Sequence, residues 1–185
     1  ASNDLKYYLI DEELPTFGTG EHPRSKGLHL TEVIRDLMDT SGMNGKRSEW
    51  DFKTTVSAGF IWEEVLSALM AEKMYPRVGE VELDGIIGTP DGLDPDGWVV
   101  EESKFTWKSS NRSPADDFYY MAQLKGYCMM LKSTMARMRI YYVNGNYKGS
   151  GPEYKVYQFE FEPHELAENW AMIKAHAEYM RKRDG

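Results

Sequence analysis

The decisive stretch of this sequence is Gly88-Thr89-Pro90-Asp91-Gly92-Leu93-Asp94-Pro95-Asp96-Gly97-Trp98-Val99-Val100-Glu101-Glu102-Ser103-Lys104. Its segment 94–97 has the Asp, Pro and Gly composition of a tight turn. The residues that follow, about 98–106, include Val, Trp, Phe and Thr, which favour strands. The stretch therefore predicts a β-hairpin with several carboxylates close to its turn.

The register of this hairpin decides which carboxylates meet. If Asp96-Gly97 is a two-residue turn, Asp91 lies opposite Glu102. Directly opposed side chains have Cβ atoms about 5 Å apart, where like charges repel and a divalent cation would remove the penalty. A type I turn with a Gly bulge would shift the register by one, so that Asp91 would face Glu101. Lys104 favours Glu102, because alternate strand residues share a face.

Two convergent carboxylates with a neighbouring amine are suited to metal-assisted phosphodiester hydrolysis. The carboxylates can hold the cation, and the amine can handle a water molecule. The same residues would also occur in an acidic, solvated hairpin that carries out no chemistry. The spacing alone leaves both interpretations open.

Three motifs, in order along the chain, resemble the PD-(D/E)XK nuclease core. Pro90-Asp91 with Glu102-Ser103-Lys104 resembles its central motif. Upstream, Gly59-Phe60-Ile61-Trp62-Glu63 is similar to the Gly-x-x-x-(Glu/His) element of the RecB/Cas4-like branch. Downstream, Gln123-Leu124-Lys125-Gly126-Tyr127 is similar to the Gln-x-x-x-Tyr helix of that branch. The resemblance implies an α/β, restriction-endonuclease-like core in which a mixed central β-sheet is flanked by α-helices.

The resemblance also implies a metal site. Asp91 and Glu102 would bind Mg²⁺ or Mn²⁺, and the backbone carbonyl of Ser103 is a further candidate ligand. Glu63 would complete the site directly or through water. The spacing does not exclude Glu64, the next residue, in its place.

The remaining residues of the three motifs would serve catalysis. By resemblance, Lys104 would orient or activate the attacking water and stabilise developing charge. Gln123 and Tyr127 lie at i and i+4 on one helix face, where they would position DNA and the site. Without the other motifs, Tyr127 would be interpreted as a core residue and Gln123 as an exposed one.

The expected activity is a metal-dependent deoxyribonuclease. The RecB/Cas4-like and phage-type features favour an exonuclease that acts on the ends of single- or double-stranded DNA in recombination, repair or phage DNA metabolism. The alternatives are a structure-selective or site-specific endonuclease, and a catalytically inactive nucleic-acid-binding module of the same fold. No Walker-type motif occurs in the sequence, so a helicase or recombination partner protein would supply any motor.

Composition sets further expectations. The 185 residues, 41% of them hydrophobic, predict a single domain over 1–185 with a loop-rich lead-in at 1–27. The lone cysteine, Cys128, excludes a four-cysteine iron–sulfur cluster within this chain, and we expect it to be a core thiol. A net charge of −8 disfavours tight, unaided binding of long DNA. The lack of an apolar run near 18 residues and of a signal-peptide pattern predicts no membrane contact and the cytoplasm of a bacterium or phage-infected cell.

Periodicity and turn signals predict the elements. The first helix covers about 28–38, with Thr31 as its N-cap. The second runs from about 54 to 74, and its apolar stripe, which includes Phe60, Ile61 and Val65, is expected to face the core. The other predicted helices are 118–132 and Pro163 toward Arg183. The predicted strands lie near 80–88, 89–94, 98–106, 138–143 and 154–161.

Overall fold

The computed structural model describes residue 10 and residues 24–44, 57–65, 68, 73–149 and 151–185. The helices are α1 (Leu30–Thr40), α2 (57–65), α3 (Phe118–Leu131) and α4 (Pro163–Asp184), with a short 3₁₀ helix at Pro114–Asp116. The strands are β1 (Leu28–His29), β2 (Val81–Leu83), β3 (Ile86–Gly88), β4 (Gly92–Leu93), β5 (Val99–Thr106), β6 (Met135–Tyr142) and β7 (Glu153–Glu160).

Two sheets organise the strands. A four-stranded mixed sheet has the order β4-β5-β6-β7, in which β5 and β6 are parallel and the outer pairs are antiparallel. A three-stranded sheet has the order β1-β3-β2, with β1 parallel to β3. The parallel pairing of β5 and β6 follows from the crossover through α3, which lies between them in sequence.

Helices cover both faces of the mixed sheet. The main core lies between one face and the mutually packed α1, α3 and α4, and includes the fully buried Val100, Met138 and Ile140. On the other face, Trp62 of α2 packs against Tyr141, with ring centroids 4.0 Å apart. This arrangement agrees with the predicted α/β class. Among the described residues, no helix combines the length and the apolarity needed to cross a membrane.

The second half of the chain follows the predicted elements to within a few residues. The strands near 138–143 and 154–161 and the helices at 118–132 and 163–183 are all present. Cys128 is fully buried, and burial raises the pKa of its thiol to about 12, as expected for a core thiol. The lead-in at 1–27 lies outside the described residues, apart from residues 10 and 24–27.

The N-terminus of α1 differs from the prediction. His29, rather than Thr31, is the N-cap residue, and the Glu32 carboxylate accepts the His29 N–H at 3.2 Å. The helix begins at Leu30 because residues 28–29 form β1 against Ile86 and Ile87, a long-range pairing without a local sequence signal.

The predicted strand near 80–88 is a hairpin instead. It reverses at Asp84-Gly85, where both residues have positive φ, 54° and 72°. Two consecutive positive φ values are the requirement of a type I′ turn, for which Asp-Gly is a preferred sequence. The turn pairs Leu83 with Ile86 and places β3 next to β1.

The second helix is oriented differently from the prediction. Phe60, Ile61 and Val65, expected in the core, are each about 40% exposed. The helix instead packs through Trp62, whose ring contacts both Phe105 and Tyr141. Residues 73–74 are not helical, so the predicted end at 74 is wrong, while 54–56 and most of 66–72 lie outside the described residues.

Candidate active site

The β4–β5 hairpin has the register that brings Asp91 level with Glu102. Gly92 pairs with Glu101 and Leu93 with Val100, so the position before Gly92 corresponds to Glu102. The turn itself differs from the two-residue prediction. Gly97 donates its N–H to Asp94 O at 2.9 Å, and Asp94 N bonds Val99 O at 3.0 Å, which leaves a four-residue loop, 95–98. The Asp94 carboxylate accepts the N–H groups of 98 and 99, and this preserves the register.

The two carboxylates lie on one face of the hairpin, where Asp91 is half-buried and Glu102 is buried. Asp91 Oδ2 accepts the backbone N–H of Ser103 at 2.7 Å, and the Glu102 side chain is only 6% exposed. Burial raises the pKa of Asp91 despite the opposing effects of Lys104 and the Ser103 N–H. Burial and then the Asp91 charge raise the pKa of Glu102 to about 8, although Lys104 lowers it. The site thus holds negative charge at an energetic cost when no cation is bound.

Lys104 links the carboxylates to α3. Its Nζ donates to Glu102 Oε1 at 2.6 Å and to Gln123 Oε1 at 2.5 Å, and Gln123 Nε2 donates to Tyr127 Oη at 3.1 Å. Desolvation lowers the pKa of Lys104, but Glu102 and the other anionic neighbours raise it on balance. Burial raises the pKa of Tyr127. Lys104 is therefore an ammonium ion, and Tyr127 is a neutral phenol.

Glu63, rather than Glu64, approaches this group. Burial raises the pKa of Glu63, and the neighbouring Asp91 raises it further, against the opposing charges of Arg77 and Lys104. Glu63 in turn contributes to the raised pKa of Glu102. Glu64 is exposed on the same helix. The site thus brings together all the residues predicted from the three motifs except Glu64.

The donor set is compatible with a hard divalent cation. Glu102 Oε2 is buried and has no hydrogen-bond partner among the described residues. A carboxylate oxygen without a hydrogen-bond partner, beside the half-buried carboxylate of Asp91, is the ligand type that Mg²⁺ uses, usually with several retained waters. No three potential ligands are gathered closely enough within the described residues to form a complete protein cage.

An ion pair on the opposite face of β5 was missed from the sequence. Glu101 is fully buried, and its carboxylate accepts from Arg139 Nε and from Tyr75 N, both at 3.0 Å. Arg139 also donates to Lys73 O at 2.9 Å. Alternation had already placed Glu101 on the face opposite Glu102, and Arg139 is a charge within an apolar strand, so both signals were present.

This ion pair fixes the segment that supports Asp91. The segment held by Glu101 and Arg139 continues to Pro76, whose carbonyl accepts the N–H of Leu93 at 3.0 Å. A Cβ on Gly92 would lie 2.9 Å from Tyr75 O, so this approach requires glycine. The residue next to Asp91 is thereby held from both sides.

Comparisons with known proteins give a fold likeness. No protein-family model and no curated protein matches this chain. The match to the solved structure of SSO0001 has 13% sequence identity and a TM-score of 0.53, and it covers 84% of this chain and 77% of the SSO0001 chain. The match to an alkaline exonuclease from Laribacter hongkongensis, LHK-Exo, has 13% sequence identity and a TM-score of 0.53. It covers 85% of this chain and 93% of the LHK-Exo chain. The structure of LHK-Exo in complex with dAMP has 14% sequence identity to this chain and a TM-score of 0.54, with the same coverage of both chains.

The likeness covers most of both chains. At such low identity it establishes the fold and leaves the activity to be tested. This chain has a mixed α/β, restriction-endonuclease-like fold similar to that of the alkaline exonuclease LHK-Exo.

Proposed function

We propose that this protein is a divalent-metal-dependent deoxyribonuclease that acts as an exonuclease at DNA ends. The observation that carries the proposal is the half-buried Asp91 and the buried Glu102 beside the ammonium of Lys104, with one Glu102 oxygen unpartnered among the described residues. The fold likeness to an alkaline exonuclease supports the choice of an exonuclease. The complex of that protein with dAMP supports nucleic acid as the substrate class.

The metal would be held by Asp91, Glu102 and the backbone carbonyl of Ser103, with Glu63 completing the site directly or through water. A bound Mg²⁺ or Mn²⁺ would lower the pKa of the attacking water and offset phosphate charge. Burial raises the pKa values of all three carboxylates, and for Glu63 and Glu102 the Asp91 charge raises them further. A bound cation would offset both effects, which favours this role.

Lys104 would donate hydrogen bonds rather than accept a proton. Two of the three N–H groups of its ammonium are directed to Glu102 and Gln123, which leaves one for a water or phosphate oxygen among the described contacts. It would orient the attacking water and stabilise charge that develops on the phosphate. Gln123, supported by Tyr127, holds the ammonium in place.

The acidic charge of the chain bears on its partners. A net charge of −8 opposes long-range attraction of DNA. We therefore expect substrate binding to depend on the bound cation, and a recombination or helicase partner protein to help deliver DNA ends.

The test is cleavage of end-labelled linear DNA, single- and double-stranded, in Mg²⁺, Mn²⁺ or EDTA. Wild type should degrade linear DNA from its ends only with metal and should leave closed-circular DNA intact. Lys104→Ala should abolish cleavage. Lys174→Ala, which removes an exposed lysine of α4 that is paired with Asp84, should not. Cleavage of circular DNA would indicate an endonuclease. DNA binding without cleavage in any metal would indicate an inactive binding module.

A further inference from the structure

Arg35 is an exposed cation on α1 that makes no ion pair with any described residue. Two acids lie at helical spacing from it, three residues before and four residues after, where ion pairs commonly form. The first, Glu32, instead accepts the backbone N–H of His29 at 3.2 Å. The second, Asp39, accepts from the Asn44 amide at 2.7 Å. The donors of the Arg35 guanidinium are therefore not taken up by the acids on its own helix.

The ring of Tyr119 holds Arg35 near the candidate active site. Arg35 Cζ lies 5.9 Å from the centroid of this ring, and Lys104 Nζ lies 5.7 Å from the same centroid. Both distances are within the range of cation–π contacts. Tyr119 is the second residue of α3 and is half-buried. The guanidinium and the ammonium, which share one aromatic neighbour, are at most about 12 Å apart.

This arrangement favours an anionic ligand that spans the two cations. In a chain of net charge −8, acids that could neutralise Arg35 are plentiful, yet none of the described ones pairs with it. The planar fork of a guanidinium matches two oxygens of a phosphate. One DNA strand carries a phosphate per about 3.4 Å of helix axis. A strand whose scissile phosphate lies at Lys104 would therefore bring another phosphate to Arg35 within about three nucleotides.

We propose that Arg35 is a substrate-binding residue, which contacts a DNA phosphate close to the scissile one, and that Tyr119 positions its guanidinium. The inference rests on the proposed nuclease function for the position of the scissile phosphate. It extends the path of the substrate strand from the carboxylates across the start of α3 to α1. Because a phosphate contact carries no sequence information, Arg35 would strengthen binding equally for all base sequences.

The test is binding of a fluorescently labelled thymidine dodecamer with phosphorothioate linkages, measured by anisotropy in Mg²⁺ at several salt concentrations. These linkages keep their charge and resist hydrolysis, so turnover does not interfere. Arg35→Gln should weaken binding about fivefold without lowering the Tm, since the side chain is exposed and has no ion pair with a described residue. The slope of log affinity against log salt should become shallower by about 0.7, the value for one phosphate contact with a single strand.

Matched variants separate a local contact from a change in overall charge. Arg181→Gln removes the same charge from α4, where the guanidinium donates to Gly85 O at 2.8 Å, and affinity should stay within about twofold of wild type. Tyr119→Phe keeps the ring and should keep the affinity. Tyr119→Leu removes the ring and should weaken binding about threefold. In cleavage of ordinary DNA, Arg35→Gln should raise KM and leave kcat unchanged, because the contact lies away from the reacting bond.

The outcomes separate this inference from the nuclease proposal. Wild-type affinity in Arg35→Gln, an equal loss in Arg181→Gln, or no binding of the dodecamer by wild type would overturn the role of Arg35. Equal affinities of the two Tyr119 variants would overturn the positioning role of that ring. If wild type cleaves DNA and Arg35→Gln has an unchanged KM, this inference alone fails. Arg35-dependent binding in a protein that cleaves no DNA would overturn the nuclease proposal and retain Arg35 as a phosphate contact.

Discussion

Replacing Glu102 by Gln should stabilise the metal-free protein, and increasingly so as the pH rises. Glu102 has a pKa of about 8 in the folded protein, against 4.5 for an unperturbed glutamate. The unfolded chain therefore releases this proton at lower pH than the folded one. The corresponding stability is fully present below pH 4.5 and is lost as the pH rises toward 8.

The size of the effect follows from the same two values. Each pH unit in that interval is worth about 1.4 kcal/mol of unfolding free energy for one proton. Between pH 6 and pH 8, wild type should therefore lose about 2 kcal/mol that Glu102→Gln retains, because the folded carboxyl is itself half ionised at pH 8. Gln resembles the protonated carboxyl in shape, so the two proteins should have similar stability near pH 5.

The assay is urea unfolding of both proteins in EDTA at pH 5, 6, 7 and 8. Glu101→Gln is the matched control, because Glu101 is the neighbouring buried glutamate and is paired with Arg139. Breaking that pair should cost about 3–5 kcal/mol at every pH. Parallel pH curves for wild type and Glu102→Gln, or a loss of stability in Glu102→Gln like that in Glu101→Gln, would refute the reasoning.

Three further predictions concern the metal, the backbone and the α3 network. Mg²⁺ at about 100 times its Kd should stabilise wild type by about 2.7 kcal/mol and Asp91→Asn much less, measured by urea unfolding with and without EDTA; equal stabilisation would contradict the assignment. Gly92→Ala should cost about 1–3 kcal/mol and slow cleavage, since its Cβ would meet Tyr75 O at 2.9 Å. Gly59→Ala, whose Cβ meets nothing within 4 Å, should stabilise α2 by up to about 1 kcal/mol in the same unfolding assay. Tyr127→Phe removes the acceptor of Gln123 Nε2 and should cost about 1 kcal/mol and lower the cleavage rate about tenfold, whereas an unchanged rate would separate Tyr127 from the site.

The core of the candidate site could be predicted because its signals are local. Alternation along β5 placed Glu102 and Lys104 on one face. The turn composition between 94 and 97 left two registers open, and Lys104 favoured the one that sets Asp91 opposite Glu102. The predicted turn, 96–97, is two residues shorter than the observed loop, 95–98, while the register was right. The reason is that the Asp94 carboxylate holds the two N–H groups that follow the turn.

Other features depended on contacts that the sequence does not display. The apolar stripe on α2 predicts one covered face, but its described residues, Phe60, Ile61 and Val65, are exposed, and Trp62 makes the contact with the sheet. The rest of the stripe, Leu66, Leu69 and Met70, lies outside the described residues. The short strand β1 pairs with residues more than fifty positions away, and this pairing moved the start of α1. The Asp84-Gly85 turn is a different case, because its signal is local and was overlooked within a longer apolar run.

The neighbours Glu101 and Glu102 show how one strand assigns opposite tasks to identical residues. Both are buried, but they lie on opposite faces of β5. The two oxygens of Glu101 are satisfied by Arg139 and by the Tyr75 N–H, so its charge is compensated within the protein. Glu102 shares its face with Asp91 and has one oxygen without a partner among the described residues. A buried carboxylate that keeps one oxygen unpartnered among the described residues, in spite of its ion pair with Lys104, is explained most simply by a cation supplied from outside. The Glu102→Gln experiment tests this by removing the carboxylate, and the Mg²⁺ experiment tests it by adding the cation.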